Sequence, residues 1–260
     1  MDPPAPVSDR PRVIALIPAH DEALRIAAVV RAAAALLPVL VVDDGSSDAT
    51  ARVAREAGAE VHEQRPNAGK GAALRAGFRL ALERGFDGAL TLDGDGQHDP
   101  AEIPLFLAAF AGASAGPSAA DAVPATLTGD APDGVRPHLV VGRRDFGAMP
   151  LPRRIANTLG GRVFSWAVGE RVPDNQSGYR LVGRRLMEAS LTSDERGFEF
   201  EVEMLATCLA RGWPITWVPI RTIYAGEPSH IRPAAHVGHF IRAVVAARRT
   251  VRGARRAAAH

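Results

Sequence analysis

Two carboxylates separated by a single glycine, in Thr91-Leu92-Asp93-Gly94-Asp95-Gly96-Gln97-His98, close an apolar run that reads as a buried strand. A pair at that spacing can hold a hard divalent cation, Mg²⁺ or Mn²⁺. Such ions take oxygen ligands, keep several waters and complete their shell with substrate phosphates. The flanking glycines let the backbone turn sharply and admit a bulky phosphate. The same residues also suit a solvated turn, which Asp and Gly favour, so a second feature has to decide. Val39-Leu40-Val41-Val42-Asp43-Asp44-Gly45-Ser46-Ser47-Asp48 supplies it, another acidic turn at the end of another apolar strand. In an open parallel sheet, ligands sit in the crevice outside the carboxyl ends of the strands. Asp43 and the Asp93/Asp95 pair then converge on one molecule, Asp43 as acceptor for a base or ribose and Asp95 as metal ligand. Asp43 and Asp44 equally suit capping of the next helix, and both roles hold together if Ser46 or Ser47 is the cap.

The elements that must position these residues alternate between strand-like and helical patterns, which predicts an α/β fold with a mostly parallel sheet flanked by helices. Strands are expected over Val13 to Ile17, Val39 to Val42, Glu60 to Glu63, Gly88 to Leu92, His138 to Val141 and Ile215 to Pro219. Helices are expected over Glu22 to Leu36, Ser47 to Ala57, Gly71 to Arg84, Pro100 to Phe110, Arg153 to Val168 and Phe198 to Arg211. Between Ala111 and Pro137 the chain collapses into Ala, Gly, Ser, Pro and Asp. That composition cannot bury enough apolar area to offset ordering, so a mobile insertion is expected there. The expected division is a disordered 1–11, one catalytic domain over 12–235, and a basic amphipathic helix and tail over 236–260.

Composition excludes several classes. A chain of 260 residues can bury one sizeable core, and its net charge of +2 is too small to argue for nucleic acid. Lys70 is the only lysine among many arginines, which singles it out. The single cysteine, Cys208, rules out an internal disulfide framework and a cysteine-based zinc site. Met1 to Arg12 lacks the apolar core of a secretory signal, and no segment reaches the roughly 20 apolar residues of a spanning helix. A cytoplasmic protein is expected.

Dinucleotide and P-loop chemistry fail on spacing. After the first strand comes Pro18-Ala19-His20-Asp21-Glu22 rather than a glycine-rich phosphate loop, and Asn67-Ala68-Gly69-Lys70-Gly71 has no Ser or Thr after its lysine. Asp21 and Glu22 instead place acceptors at a helix start, suited to a base or ribose, or to the helix dipole alone.

Taken in order, Pro18 to Glu22, Asp43 to Ser46, Asn67 to Gly71, Asp93 to His98 and Asp174-Asn175-Gln176-Ser177-Gly178-Tyr179-Arg180 resemble the motifs of family 2 glycosyltransferases. The subgroup they look most like is the dolichyl- or polyprenyl-phosphate mannosyltransferases and their glucosyl relatives. The resemblance runs from Val13 to about Phe240, outside the insertion. It implies a GT-A Rossmann-like fold, a nucleotide-sugar donor, a divalent metal and inversion at the anomeric carbon. It further implies that Pro18, Ala19, Asp21, Glu22, Asp43, Lys70 and Asp93 bind the nucleotide, and that Asp93, Asp95 and Gln97 surround the metal and diphosphate.

An acceptor phosphate is already ionised at neutral pH, so such a reaction needs cationic positioning rather than a general base. Arg144 and Arg153 match positions where the family keeps phosphate-binding arginines, and a guanidinium fork suits phosphate oxygens; a solvated basic helix start is the alternative for Arg153. Asn157, Gln176, Ser177, Ser229 and His230 fall on the acceptor and sugar side. Asn157 stands where the mannosyltransferases carry serine and His230 replaces a frequent lysine. From His236 to Arg256, Val237, Phe240, Val244, Ala247 and Val251 recur at helical spacing beside many arginines. This helix either lies on an anionic membrane, bringing the site to a lipid acceptor, or packs on the domain. The expected activity is transfer of a hexose, mannose from GDP-mannose first, to polyprenyl phosphate at the cytoplasmic membrane face. A UDP-sugar transferase acting on a polyprenyl phosphate or a soluble acceptor, and a catalytically silent nucleotide-sugar binding protein, are the alternatives.

Overall fold

The computed structural model describes residues 10–112, 136–149, 151–221, 223 and 233–258. Most of the expected insertion and nearly all of the expected disordered N-terminus therefore lie outside the described residues.

Seven strands form one sheet: β1 (Val13–Ala19), β2 (Val39–Asp44), β3 (Glu60–Gln64), β4 (Gly88–Thr91), β5 (Leu139–Arg144), β6 (Arg180–Gly183) and β7 (Ile215–Ile220), in the order β3-β2-β1-β4-β6-β5-β7. β1 pairs in parallel with β2 and β4, β2 with β3, and β5 with β7, whereas β6 runs antiparallel to both β4 and β5. The expectation of a mostly parallel α/β sheet therefore holds. Burial explains the unbroken apolar runs. Along β1, Ile14 and Leu16 enter one core, while Val13, Ala15 and Ile17 enter another on the opposite face, as a two-residue strand period requires. One face is covered by α3 (Lys70–Glu83), α5 (Leu151–Val168), α6 (Arg184–Ser190), α7 (Glu199–Arg211) and α8 (Pro233–Ala257); the other by α1 (Ile26–Ala34), α2 (Thr50–Glu56) and α4 (Ile103–Phe110).

Four local departures from the sequence reading have physical causes. α1 starts at Ile26 rather than Glu22, because the loop after β2 takes the first amides: Thr50 Oγ1 accepts from Glu22 N–H and Asp48 Oδ2 from Ala23 N–H. α4 is preceded by a 3₁₀ turn over Pro100–Glu102, with Pro104 in its first turn, where a missing N–H costs nothing. β6 and α6 are missing from the sequence reading, since a four-residue strand beginning with arginine carries no apolar alternation. Finally, α8 is not a separate appendage. Val244, Ala247 and Val251 are buried with α7 and α5 in the larger core, and Phe240 packs against it. The stripe that Val244, Ala247 and Val251 form is therefore packed on the domain; the Val237 side chain lies outside the described residues.

Candidate active site

The carboxyl ends of β1, β2 and β4 and the start of α3 meet around a cleft of about 370 Å³. Its lining includes Pro18, Ala19, His20, Glu22, Asp44, Asn67, Gly69, Lys70, Asp93 and Asp95, so the first, third and fourth motifs come together with the Asp43-Asp44 turn. A larger hollow of about 540 Å³, lined by Asp99, Glu102, Leu105 and Arg221 among others, shares no lining residue with it.

The two acidic residues at the end of β2 divide the work. Asp44 accepts from Ala68 N–H and Gly69 N–H, both at 2.8 Å, and from the Gln64 amide. It thereby shapes the loop that delivers Lys70. Gly69 must be glycine, since its φ is +94° and a Cβ would come within 2.4 Å of the Arg196 carbonyl. Asp43 lies beneath the cleft, 1 % exposed. One of its oxygens accepts from the Ser46 hydroxyl, while Oδ2 is buried with no hydrogen-bond partner among the described residues. Asp21 sits at φ 55° and does not cap α1. Its Oδ1 accepts from Ser47 N–H at 2.7 Å and from Asp48 N–H at 3.3 Å, and it does not line the cleft. The Ser47 amide is the main reason its carboxyl is held below the ordinary range.

Lys70 joins three motifs. Its Nζ stands 2.6 Å from Asp93 Oδ1 and 3.1 Å from Glu201 Oε1, where Glu201 is a buried residue of α7. Burial opposes the ammonium charge, but Asp93 and Glu201 outweigh it and hold the lysine protonated well above its usual range. The converse applies to Asp93: burial would raise its carboxyl, yet Lys70 pulls it below the usual range. Asp93 is also fixed through its backbone, its N–H donating to His98 Nδ1 at 3.1 Å. That bond requires His98 to keep this nitrogen unprotonated, in agreement with a ring whose pKa is lowered by burial. His98 in turn stacks on Tyr179, ring centres 4.9 Å apart.

Asp95 is different. Its Oδ1 accepts from Gln97 N–H at 2.9 Å, and burial followed by the charge of Asp93 pushes its pKa up to about 6. A carboxylate held uncomfortably ionised beside another is relieved by a cation. Among the described residues, no cluster of three or more His, Cys, Asp or Glu could cage a metal. A hard ion that takes one or two carboxylates and fills its shell with phosphate oxygens and water fits this donor set, with Asp95 the nearer candidate because Asp93 is engaged by Lys70.

The fifth motif closes the site from the other side. Gly178 faces the Lys70 triad so closely that a Cβ there would lie 3.0 Å from Asp93 Oδ2 and from Lys70 Nζ. The loop is held by Arg180, which is fully buried and donates to the carbonyls of Ser177, Glu201 and Asn175. Arg144, at the end of β5, makes a two-pronged pair with Asp174, Nε to Oδ2 at 2.7 Å and Nη2 to Oδ1 at 2.9 Å. Gln176 N–H donates to the same carboxylate, and Ser177 is buried with its Oγ unpartnered among the described residues. Asn157 donates to Met149 Sδ at 3.1 Å. Arg153 belongs to α5, but its side chain lies outside the described residues, as do Ser229 and His230.

The sequence reading did not assign roles to Asp44 beyond capping, nor to His98, Asp174, Gly178, Arg180 and Glu201. Each acts through a partner far along the chain. A signal was present only for Asp174, an acid inside a motif whose counter-charge had to come from elsewhere.

Fold and site together define an α/β architecture with a polar, carboxylate-rich cleft at the carboxyl ends of its parallel strands. The model of the family described as glycosyl transferase family 2 matches residues 14–119, which span β1 through Asp93 and Asp95. The undecaprenyl-phosphate mannosyltransferase of Micrococcus luteus is 30% identical over 224 residues, 80% of this chain and 82% of that protein. Glycosyltransferase AglJ of Haloferax volcanii is 33% identical over 219 residues, 83% of this chain but 64% of that protein's length, less than two thirds. Glucosyl-3-phosphoglycerate synthase from Mycobacterium tuberculosis, crystallised with Mn²⁺, UDP and phosphoglyceric acid, superposes with a TM-score of 0.65, 19% identity, and coverage of 93% of this chain and 78% of that one. The chain belongs to glycosyl transferase family 2, and its fold is GT-A.

Proposed function

We propose that this chain is an inverting, metal-dependent hexosyltransferase that moves a hexose, mannose in the first instance, from a nucleotide donor to a polyprenyl phosphate at the cytoplasmic membrane face. The observation that carries the reading is the cleft end where Asp95, its pKa near 6, stands beside an Asp93 already engaged by Lys70. That arrangement calls for one more cation and leaves a diphosphate to complete its shell. The similarity to a Micrococcus luteus enzyme named for mannose and undecaprenyl phosphate supports the choice of sugar and acceptor.

In this reading Pro18, Ala19, Glu22 and Asp43 receive the nucleoside, with the unpartnered Oδ2 of Asp43 and the nearby Asp21 turn on the base side. Asp95, with Asp93 and Gln97 beside it, would hold Mg²⁺ or Mn²⁺. Bound there, the ion supplies charge stabilisation for the departing diphosphate. Lys70 adds a fixed positive charge on the same side. An oxygen of the acceptor phosphate forms the new bond to the anomeric carbon as the bond to the diphosphate breaks, and the electron pair leaves with the nucleoside diphosphate. No side chain has to remove a proton. Arg144, oriented by Asp174, and Arg153 bring the acceptor phosphate to the donor against their mutual repulsion, and Asn157, Gln176, Ser177, Ser229 and His230 surround acceptor and sugar.

A panel of radiolabelled GDP- and UDP-sugars, incubated with Mg²⁺ or Mn²⁺ and polyprenyl phosphate, tests this. Label in the organic phase from GDP-mannose is the expected result. Label from a UDP-sugar alone overturns the donor, and nucleoside diphosphate released without lipid label overturns the acceptor. Nucleotide binding with no release at all identifies a silent binding protein.

A further inference from the structure

Seven of the eleven large apolar side chains that stand exposed among the described residues fall on two neighbouring helices. On α5, Leu151, Ile155, Leu159 and Trp166 are 59 to 70 % exposed. Their spacing of four, four and seven residues sets them on one stripe of a 3.6-residue helix, with exposed Val163 at its edge. Phe164, Ala167 and Val168 face the core from the opposite side. On α8, Ile241 and Val245 stand exposed beside the stripe that Val244, Ala247 and Val251 bury.

The two exposed stripes adjoin. Phe240 lies against Gly160, the Arg248 guanidinium sits 4.4 Å from the centre of the Trp166 ring, and Arg255 pairs with Glu170 just beyond the end of α5. These contacts run the helices side by side in the same direction and merge the stripes into one face. A contiguous exposed apolar patch of this kind marks an interaction surface.

The charges around it select the partner. Neither α5 nor α8 contains a single Asp or Glu, while α5 carries three arginines and α8 six. Arg162 interrupts the α5 stripe, and Arg248 and Arg252 continue the line of Ile241 and Val245. A second copy docked face to face on this patch would set arginine against arginine. An anionic bilayer fits both components: the apolar side chains enter the acyl boundary, Trp166 sits at headgroup level, and the arginine stems lie along the surface with their heads on lipid phosphates.

We propose that the α5/α8 face docks this protein on an anionic lipid bilayer. The stripe starts at Leu151, seven residues after Arg144 at the end of β5, and a Cβ on Gly160 would lie 3.6 Å from Gln176 Nε2. The docked face is thus continuous with the acceptor side of the site, and that link rests on the proposed lipid-phosphate acceptor; the surface chemistry does not.

The test is co-sedimentation of the full chain with vesicles of phosphatidylcholine, with and without phosphatidylglycerol, at low and raised salt. Wild type is expected to bind the phosphatidylglycerol vesicles, less at high salt, with a blue shift of tryptophan emission. The double variant Leu159→Ser, Trp166→Ser should bind at least about tenfold more weakly, and Arg248→Gln with Arg252→Gln should flatten the salt dependence. Thermal melts by circular dichroism confirm that each variant is folded; if the first is not, the arginine pair carries the test alone. Absence of vesicle binding by wild type overturns the proposal. So do binding unchanged in folded variants and a dimer, broken by the same substitutions, that ignores vesicles. Transfer of hexose to a short-chain polyprenyl phosphate in detergent, with nucleoside diphosphate released, measured on the same samples, separates the two claims. Vesicle binding without turnover contradicts the acceptor reading only, and turnover without vesicle binding contradicts the docking only.

Discussion

Asp95 carries a cost that its neighbours explain. Its carboxyl, 3.8 in a free chain, is raised to about 6 by burial and by Asp93. At neutral pH the folded state must hold a charge that the unfolded chain carries freely, so Asp95 lowers stability there. The penalty fades as pH falls from about 6 toward 4, because the folded form takes up its proton first. Asp95→Asn should therefore raise stability at pH 7 by roughly 1–2 kcal/mol, with partial exposure discounting the full shift, and bring little gain at pH 4. Thermal melts at the two pH values check this. Lys70 works in the opposite sense. Removing its charge in Lys70→Met leaves Asp93 and Glu201 facing the same space, and a loss of about 1–3 kcal/mol in urea unfolding is expected. Both carboxylates of the Asp-Gly-Asp run and the lone lysine were legible in the sequence because their types and spacing are unusual. Their coupling was not, since Lys70 and Glu201 are 131 positions apart and meet only through the packing of α3 and α7.

At the scale of elements, the loop from Asp174 to Arg180 shows how a motif can be visible while its architecture is hidden. The run of turn-forming residues stood out, but the strand it leads into did not. β6 is four residues long and opens with an arginine that is fully buried. Sequence patterns treat arginine as a surface residue; here two carbonyls of the loop, from Asn175 and Ser177, and one of α7, from Glu201, receive its guanidinium. Arg180→Met should cost about 3 kcal/mol or more by taking the buried donor from the Asn175 and Ser177 carbonyls, seen as a lowered denaturation midpoint, and should displace Gly178 from the Lys70 triad. The parallel strands β1, β2 and β4 were legible for the opposite reason. Burial on both faces demands an uninterrupted apolar run, and each run ends in the polar residues that reach the cleft.

At the scale of the whole molecule, one sheet with a core on each face holds the site at the carboxyl edge of its strands, and α8 completes the larger core. The sequence showed the amphipathic pattern of α8 but not its partner, because helical spacing reports that an apolar stripe exists and not what covers it. The domain covers it. Val251, fully buried, is the clearest marker: Val251→Ala should lower stability by about 2 kcal/mol, whereas a helix free to leave for a membrane would lose almost nothing in solution melts. Five of the eleven exposed large apolar residues among the described ones sit instead on α5.

In the proposed function, Asp95 and a divalent cation drive sugar transfer to a lipid phosphate. The most direct measurement is the rate of label transfer from GDP-[¹⁴C]mannose into polyprenyl phosphate, comparing wild type and Asp95→Asn with Mg²⁺ and with chelator. Metal-dependent lipid labelling by wild type and a loss of at least about a thousandfold in a folded Asp95→Asn protein are expected. Labelling that survives either chelation or the substitution would contradict the proposed function.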